Sequence, residues 1–512
     1  MKCIGGDMNL QDLECLTKEQ WEEIASDVIN RVDTRLFIEG DYVDAKKGKK
    51  FESVNPDTGE VIAMVTKGDG EDIDKAVKSA RRSFSSSVWS RMAPRDRMEV
   101  MYRWSGLILE NAGELAVLES LDMGKPISDC ISFDIPSVSK FIQFCGECID
   151  KIDGRVTSNA PGIVHFVNRE PYGVIGAISP WNFPLYMATW KVAPALAAGN
   201  SVVLKPAEQS PLSCLRLARL FIEAGGPAGV FNVVNGPGEI TGKALALHND
   251  VDKIRFTGSA EVGKLMFVYS GQSNMKEVSV ECGGKSPNIF LSDLPDIEEA
   301  AEAACDGIFS LSGQVCTAGS RLLVDRRFYG DFVDAFTAKA NSTYKPGRPL
   351  DPATTMGPMV THQAQENVLA DIKTGENEGA ILHFGGDTPK EFPEGAYVNP
   401  TLFIDVNNDM AIARKEIFGP VASIIPVEDI DEAVSVANDT IYGLGAGVWT
   451  SNLSTAHRLI REINAGMVWV NTYDTGDMTQ PFGGFKQSGN AKDNCMESVI
   501  DCMHEKSAWI RT

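Results

Sequence analysis

Short, almost wholly apolar runs alternate along the chain with longer stretches of helical periodicity. The first series is GVIGAIS at 173–179, NSVVLKP at 200–206, VFNVVNG at 230–236 and KIRFTGS at 253–259. The first three are separated by segments of helix-forming composition, such as SPLSCLRLARLFIEAG from Ser210 to Gly225. Strands without a polar face, joined by helices, predict a parallel sheet covered on both sides. A second series follows: SRLLVD at 320–325, ILHFGG at 381–386, ASIIPVE at 422–428, GAGVWT at 445–450 and GMVWVN at 466–471. Two α/β units in succession are therefore expected. Segments beginning Asp72-Ile73-Asp74, Asp296-Ile297-Glu298 and Asp429-Ile430-Asp431 put acidic residues ahead of an apolar helical repeat. Carboxylates in a first turn cap free N–H groups and oppose the positive end of the helix dipole, so each marks a helix start. Their irregular separations argue against a solenoid. Residues 154–173, GRVTSNAPGIVHFVNREPYG, alternate in polarity around Asn159-Ala160-Pro161-Gly162 and predict a β-hairpin. An isolated hairpin is barely stable, so this one is expected to pair with another subunit.

The 512 residues suffice for two or three domains with sizeable cores. Lys plus Arg number 48 against 70 Asp plus Glu, a formal net charge of −22, which disfavours nucleic acid as a main partner. No apolar run reaches the roughly 18 residues of a membrane-spanning helix. The start, MKCIGGDMNLQDLEC, carries no visible export or organelle signal, so a cytoplasmic protein is expected. Eleven cysteines, an odd number spread from Cys3 to Cys502, read as free thiols. Cys145 and Cys148 form a C-x-x-C, but inside a helical repeat and without a second pair at zinc spacing, so burial is favoured over metal or redox work. The six histidines are scattered, and no metal site is expected.

Several chemical motifs fail on spacing. Gly283-Gly284-Lys285-Ser286 looks like the end of a P-loop, yet position 279 is Ser where a glycine is required. There is no G-x-S-x-G, no H-E-x-x-H and no strict G-x-G-x-x-G. Phe256-Thr257-Gly258-Ser259 follows a strand, with Gly263 inside the next helix, a weaker form of a pyrophosphate-binding turn. The most informative stretch is Ser312-Gly313-Gln314-Val315-Cys316-Thr317-Ala318-Gly319-Ser320-Arg321. A cysteine among small residues, between a predicted helix and a strand, has the setting of a thiolate nucleophile.

Company gives that cysteine its meaning. Together with Ser179-Pro180-Trp181-Asn182-Phe183-Pro184, Lys205-Pro206-Ala207-Glu208, the Phe256 turn, Val280 to Asn288, Glu416-Ile417-Phe418-Gly419-Pro420 and Pro481 to Gly489, it resembles the NAD(P)-dependent aldehyde dehydrogenases. The seven motifs stand in that family's order and near its spacing, from about Arg35 to the C-terminus.

The resemblance implies an α/β fold with a Rossmann-type NAD domain at 35–150 and 172–282 and a catalytic α/β domain at 283–485. It also implies a small β oligomerisation element at 151–171 and 486–512, behind an N-terminal extension at 1–34. It implies that Cys316 attacks the aldehyde, that Asn182 with the Cys316 N–H holds the resulting oxyanion, and that Glu281 activates the water that hydrolyses the thioester. Lys205 and Glu208 match the adenine-side ribose positions, favouring NAD with weaker use of NADP. Gly258, Ser259 and Gly263 would meet the pyrophosphate, and Glu416 and Phe418 the nicotinamide ribose and ring, with Trp181 close by. Two departures, Cys282 where many members have Leu and Val315 where some have Cys or Ile, keep the apolar character of their positions. Assembly as a homodimer or homotetramer is implied, through the hairpin and a strand around Ser507–Arg511.

Asn471 to Phe482 map onto the loop lining the family's substrate tunnel. Its Gly476-Asp477-Met478-Thr479 element, with Phe485 to Asn490 after it, is similar to the branch acting on γ-glutamyl-γ-aminobutyraldehyde and related ω-amino aldehydes of polyamine breakdown. Asp474 or Asp477 would attract a cationic tail, with Phe183, Trp190, Tyr473 and Phe482 as an apolar or cation–π wall. The alternative for both aspartates is capping of turn backbone. For the chain the alternatives are a broad-specificity aliphatic aldehyde dehydrogenase, a CoA-acylating enzyme, against which Glu281 argues, and an idle scaffold, against which the presence of Cys316, Asn182 and Glu281 argues.

Overall fold

The structure, a computed structural model, describes residues 9–512. A seven-stranded sheet runs in the spatial order Glu277–Cys282, Lys253–Gly258, Val174–Ile178, Ser201–Lys205, Phe231–Val233, Leu36–Ile38, Asp41–Val43. Its first five strands are parallel, four of them the apolar runs read from the sequence and the fifth, Glu277–Cys282, not among those runs; Leu36–Ile38 lies antiparallel to both its neighbours. The two-residue strand period divides the core. Ile175, Ala177, Val202 and Leu204 face one hydrophobic cluster, while Val174, Ile178 and Val203 face another that includes Ile73, Val77 and Ala80 of the helix Gly70–Ser85.

The second sheet, also seven-stranded, has the order Ile381–Phe384, Thr401–Ile404, Val421–Val427, Arg321–Asp325, Pro287–Phe290, Gly445–Trp449, Met467–Val470. All are parallel except Ile381–Phe384, whose alternating exposure marks it as an edge. The pattern of long apolar runs did not announce Pro287–Phe290, Thr401–Ile404 or the short strands before residue 70, because three to six residues are too few to show a period.

Asp296 and Asp429 cap their helices as expected. The first acidic segment is corrected: Asp69 is the cap of Gly70–Ser85, and Asp72 sits one turn in, its carboxylate accepting the Asp69 N–H. The D-x-x-D spacing lets both side chains bond reciprocally, which a cap at Asp72 would forgo.

Arg155–Val156 and Ile163–Pro171 form the hairpin, but the long strand pairs along its whole length with Met503–Arg511, from Pro171↔Met503 to Ile163↔Arg511. The segment expected to join that sheet from residue 486 divides. Val499 and Cys502 sink into the core of the first unit, and only Met503 onward reaches the three-stranded sheet. Of the N-terminal extension, residues 1–8 lie outside the described residues. The rest forms Leu10–Glu14 and Lys18–Arg31, which bury Leu13, Trp21, Ile24 and Val28 in the same core.

Cys145 and Cys148 lie buried in the helix Ile135–Cys148, and every cysteine among the described residues is a free thiol. Among the described residues no group of ligands is placed to hold a metal ion, and no helix is long and apolar enough to cross a membrane.

Candidate active site

The helix Ile297–Phe309 ends in a tight turn where Leu311 and Ser312 adopt left-handed backbone, φ 50° and 55°, followed by Gly313 at 71°. Such geometry costs about 1–3 kcal/mol per non-glycine residue, so the surroundings must hold it. The Ser312 hydroxyl donates to the Gly357 carbonyl at 2.6 Å. Buried Gln314 donates to the carbonyls of Leu311 (3.1 Å) and Pro358 (3.3 Å) and accepts from the Val360 N–H at 2.9 Å. Two residues on, this braced loop presents the partly exposed Cys316. Tyr473 supports it from beneath, its hydroxyl donating to the Thr317 carbonyl at 2.6 Å. The ring occupies a slot of three glycines: a Cβ on Gly307, Gly319 or Gly447 would fall 2.8, 3.0 or 2.7 Å from it. Tyr473 is thus a buried prop of the cysteine loop and takes no place in an open wall.

Asn182 is buried, and its amide nitrogen donates to the Gln314 carbonyl at 2.8 Å. One N–H is thereby fixed and the amide plane oriented. Glu281, on the strand Glu277–Cys282, is 3% exposed, and neither carboxylate oxygen has a hydrogen-bond partner. Burial, then the nearby Asp493, pushes its carboxyl well above the ordinary range, against the pull of Lys191, Lys492 and Arg255. Burial, followed by Asp474, Glu416 and Glu281, also raises the Cys316 thiol. In both groups burial disfavours the charged form.

Behind Glu281 lies a charge cluster that sequence reasoning missed. Asp493 pairs with Lys191 and, at 2.6 Å, with Arg255, whose other nitrogen donates to the Cys502 sulfur at 3.1 Å. The available signal was a cation inside an otherwise apolar element: Arg255 in KIRFTG and Lys191 in the almost wholly buried helix Pro184–Ala197.

The cofactor candidates gather along the carboxyl ends of the first sheet, where the crevice of a parallel α/β sheet binds ligands. Lys205 closes the strand Ser201–Lys205, buried, its ammonium 2.8 Å from Glu208, which also accepts the Gly238 N–H at 3.4 Å. Burial draws Lys205 down despite Glu208, whereas for Glu208 the burial penalty is outweighed by Lys205 and its carboxyl falls. Gly258 ends its strand, and Ser259 caps the helix Ala260–Gln272, accepting the Val262 N–H at 3.3 Å. Gly263 packs that helix on the strand: a Cβ there would lie 2.7 Å from the Cys282 sulfur, so the departure at 282 fills the space the glycine opens.

The Glu416 carboxylate accepts the Gly284 N–H at 3.1 Å and occupies the notch left by Gly283, whose Cβ would fall 1.9 Å from it. Burial pushes Glu416 up to about 7 and draws the unpartnered, fully buried Lys285 down to about 7. Trp181 and Phe418 meet edge to face at 5.2 Å.

On the aldehyde side, Trp190 packs edge-on to Phe482 (4.9 Å) and Tyr186 (5.0 Å), while Phe133 bridges Tyr186 (5.7 Å) and Phe183 (6.4 Å). Tyr186 and Phe133 were not singled out from the sequence. The two aspartates part company. Asp474 accepts the Thr317 hydroxyl at 2.9 Å, one residue from Cys316, and desolvation pushes its carboxyl up to about 6. Asp477 is exposed and caps its own turn through the N–H and hydroxyl of Thr479.

Fold and site together define an α/β protein of two sheets with a thiol, an amide tied to the thiol's loop and an unpartnered buried carboxylate that acts on that thiol. Residues 42–508 match the aldehyde dehydrogenase family, and the chain belongs to that family: it is an oxidoreductase acting on aldehydes. It is 45% identical over 479 residues to the NADP/NAD-dependent aldehyde dehydrogenase PuuC of Escherichia coli, covering 94% of this chain and 96% of that protein. A solved indole-3-acetaldehyde dehydrogenase complexed with NAD+ superposes with a TM-score of 0.95 at 49% identity, over 97% of this chain and 100% of that one. The γ-glutamyl-γ-aminobutyraldehyde dehydrogenase of Burkholderia cenocepacia superposes with a TM-score of 0.94 at 49% identity and the same coverage.

Proposed function

We propose that the chain oxidises aldehydes irreversibly to carboxylates with NAD, through a covalent adduct on Cys316, and prefers ω-amino aldehydes such as γ-glutamyl-γ-aminobutyraldehyde. The observation that carries the chemistry is the buried, unpartnered carboxylate of Glu281, near enough to Cys316 to act on its thiol, with Asn182 tied to Gln314 two residues before that cysteine. Cys316 gives its thiol proton to water in the cleft and, as the thiolate, attacks the aldehyde carbon to form a thiohemiacetal. Asn182 and the Cys316 N–H hold the oxygen that becomes negative. NAD, with Glu416 and Phe418 at its nicotinamide end, would supply the acceptor for the hydride lost from that carbon, leaving a thioester on Cys316. Glu281, ionised, takes a proton from water as the water attacks, and the Cys316 thiolate departs from the carboxylate product.

The residues present fit the cofactor: the Glu208 carboxylate accepts from ribose hydroxyls and repels a 2′-phosphate, and the Lys205 ammonium beside it leaves NADP a weaker substitute. Ser259 with the first turn of Ala260–Gln272 suits a pyrophosphate, and Glu416 in the Gly283 notch suits a ribose. The similar protein PuuC is named NADP/NAD-dependent, which supports the use of both cofactors without ranking them. Asp474 beside the nucleophile supports a cationic substrate tail, as does likeness to the Burkholderia enzyme. The aromatic wall favours a second reading, bulky apolar aldehydes, for which the indole-3-acetaldehyde enzyme is the precedent. Val156 at 73% and Trp509 at 69% exposure on the three-stranded sheet support a homo-oligomer, dimer or tetramer, and the composition supports a cytoplasmic one.

The test is NADH formation with γ-glutamyl-γ-aminobutyraldehyde, 3-aminopropionaldehyde, indole-3-acetaldehyde and a neutral aliphatic aldehyde of similar length. A preference of about tenfold in kcat/KM for the two amino aldehydes, some 1.4 kcal/mol of transition-state binding, is the expected result. Equal rates would leave a general aldehyde dehydrogenase.

A further inference from the structure

We propose that Lys125 is a positioning residue of the aldehyde tunnel, its ammonium held by Asp134 against the face of Phe183 so that the ring is fixed as a wall beside the oxyanion donor. Lys125 is 1% exposed, its nitrogen 2.6 Å from Asp134 Oδ2 and 3.7 Å from the centroid of the Phe183 ring. An ammonium has three donors; one serves Asp134, and a desolvated cation over an aromatic face is strongly attracted to it. Phe183 directly follows Asn182 and precedes the helix Pro184–Ala197, whose Leu185 N–H is accepted by the buried Glu119 at 3.2 Å. The ring and the start of the helix are therefore gripped by neighbouring buried ionisable side chains.

The turn that carries Lys125 also leans on the support of the nucleophile. Gly124, at φ 82°, ends the helix Ala112–Met123, and a Cβ on Gly357 would fall 1.9 Å from its carbonyl oxygen. Gly357 is the residue whose own carbonyl accepts the Ser312 hydroxyl. Met123 packs in one cluster with Leu311 and Val360, against which Phe183 and Val315 lie. Residues 123–125 thus wedge between the tunnel wall and the loop of Cys316, and the ammonium is the part of the wedge that touches the wall.

The inference rests on the reading of Phe183 as part of the tunnel, and a double-mutant cycle separates the two. In Lys125→Met, KM for hexanal is expected to rise about tenfold with kcat within about twofold, while acetaldehyde is affected less, because only uniform binding along the wall is lost. In a Phe183→Leu background the same substitution is expected to change KM less than about twofold. Equal factors in both backgrounds, or a fall in kcat at constant KM, would overturn the role of Lys125. A Phe183→Leu enzyme with unchanged constants for both aldehydes would overturn the wall itself. Should the lone Asp134 prevent Lys125→Met from folding, the pair Lys125→Met with Asp134→Leu, which leaves no buried charge unmatched, carries the same comparison.

Discussion

The floor of the cleft is built from strand ends and buried bonds, whereas its mouth is a largely exposed loop moored at Tyr473 and Asp474 to Thr317. On the floor, Asn182 is tied to the Gln314 carbonyl, Gln314 to three further backbone groups, and Glu281 sits before the closed Lys191–Asp493–Arg255 cluster. At the mouth, Asn471 and Asp474 hold left-handed backbone in a loop with exposed residues at 474–477, and Asp477 caps Thr479 two residues away. Asn182 and Gln314 move only by breaking buried hydrogen bonds, each expensive to leave unmade, while the exposed Asp477 changes at little cost to the fold. Rate should therefore be a property of the floor and choice of aldehyde a property of the mouth.

The largest test of that division is Glu281→Gln. The amide keeps the shape and cannot take a proton, so acylation should survive and deacylation fail. A burst of NADH of about one per active site is expected, followed by a steady rate lower by about 10²–10⁴-fold. Loss of the burst as well would place Glu281 in both steps and break the comparison on its floor side. The pH profile sharpens it. Because burial raises both Glu281 and Cys316, their working, deprotonated forms gain population as pH rises. The steady rate should climb from neutral to alkaline pH, and the limb belonging to Glu281 should vanish in Glu281→Gln. A flat wild-type profile would contradict the raised carboxyl.

Asn182→Ala comes next, at about 10²- to 10³-fold in kcat, the usual cost of one oxyanion donor. Part of that loss comes from the Gln314 carbonyl, which loses its 2.8 Å donor inside the brace. A variant with normal kcat and raised KM would move Asn182 from the chemistry to simple binding.

The floor was the more legible half. Its strands announce themselves because both faces are buried, as in Val174–Ile178 and Ser201–Lys205. Cys316, Glu281 and Asn182 stand in short motifs whose neighbours keep a fixed order. What the motifs do not carry is pairing at a distance: Lys191 and Asp493 are 302 residues apart and Arg255 and Asp493 are 238, so no local pattern joins them. The mouth was read without resolution for a different reason. Tyr473, Asp474 and Asp477 are near neighbours of suitable chemistry, and only the backbone between them decides that one props the loop, one meets Thr317 and one caps a turn.

That last distinction yields the smallest and most discriminating effects. Asp474→Asn should lower the preference for amino over neutral aldehydes by up to about tenfold while leaving the rate on neutral aldehydes within about twofold. The wild-type preference should itself fade as pH falls through about 6, where the Asp474 carboxyl takes up a proton and loses its attraction for a cation. Asp477→Asn should change neither preference nor rate, because an amide oxygen caps the same turn and the site is exposed, so any stability change should stay within about 0.5 kcal/mol. If Asp477→Asn moved the preference and Asp474→Asn did not, the charge that selects the substrate would act from the turn, at long range and with strong sensitivity to salt. A preference unmoved by raising ionic strength to about 0.5 M would contradict that long-range action, because charges acting across open solvent are screened.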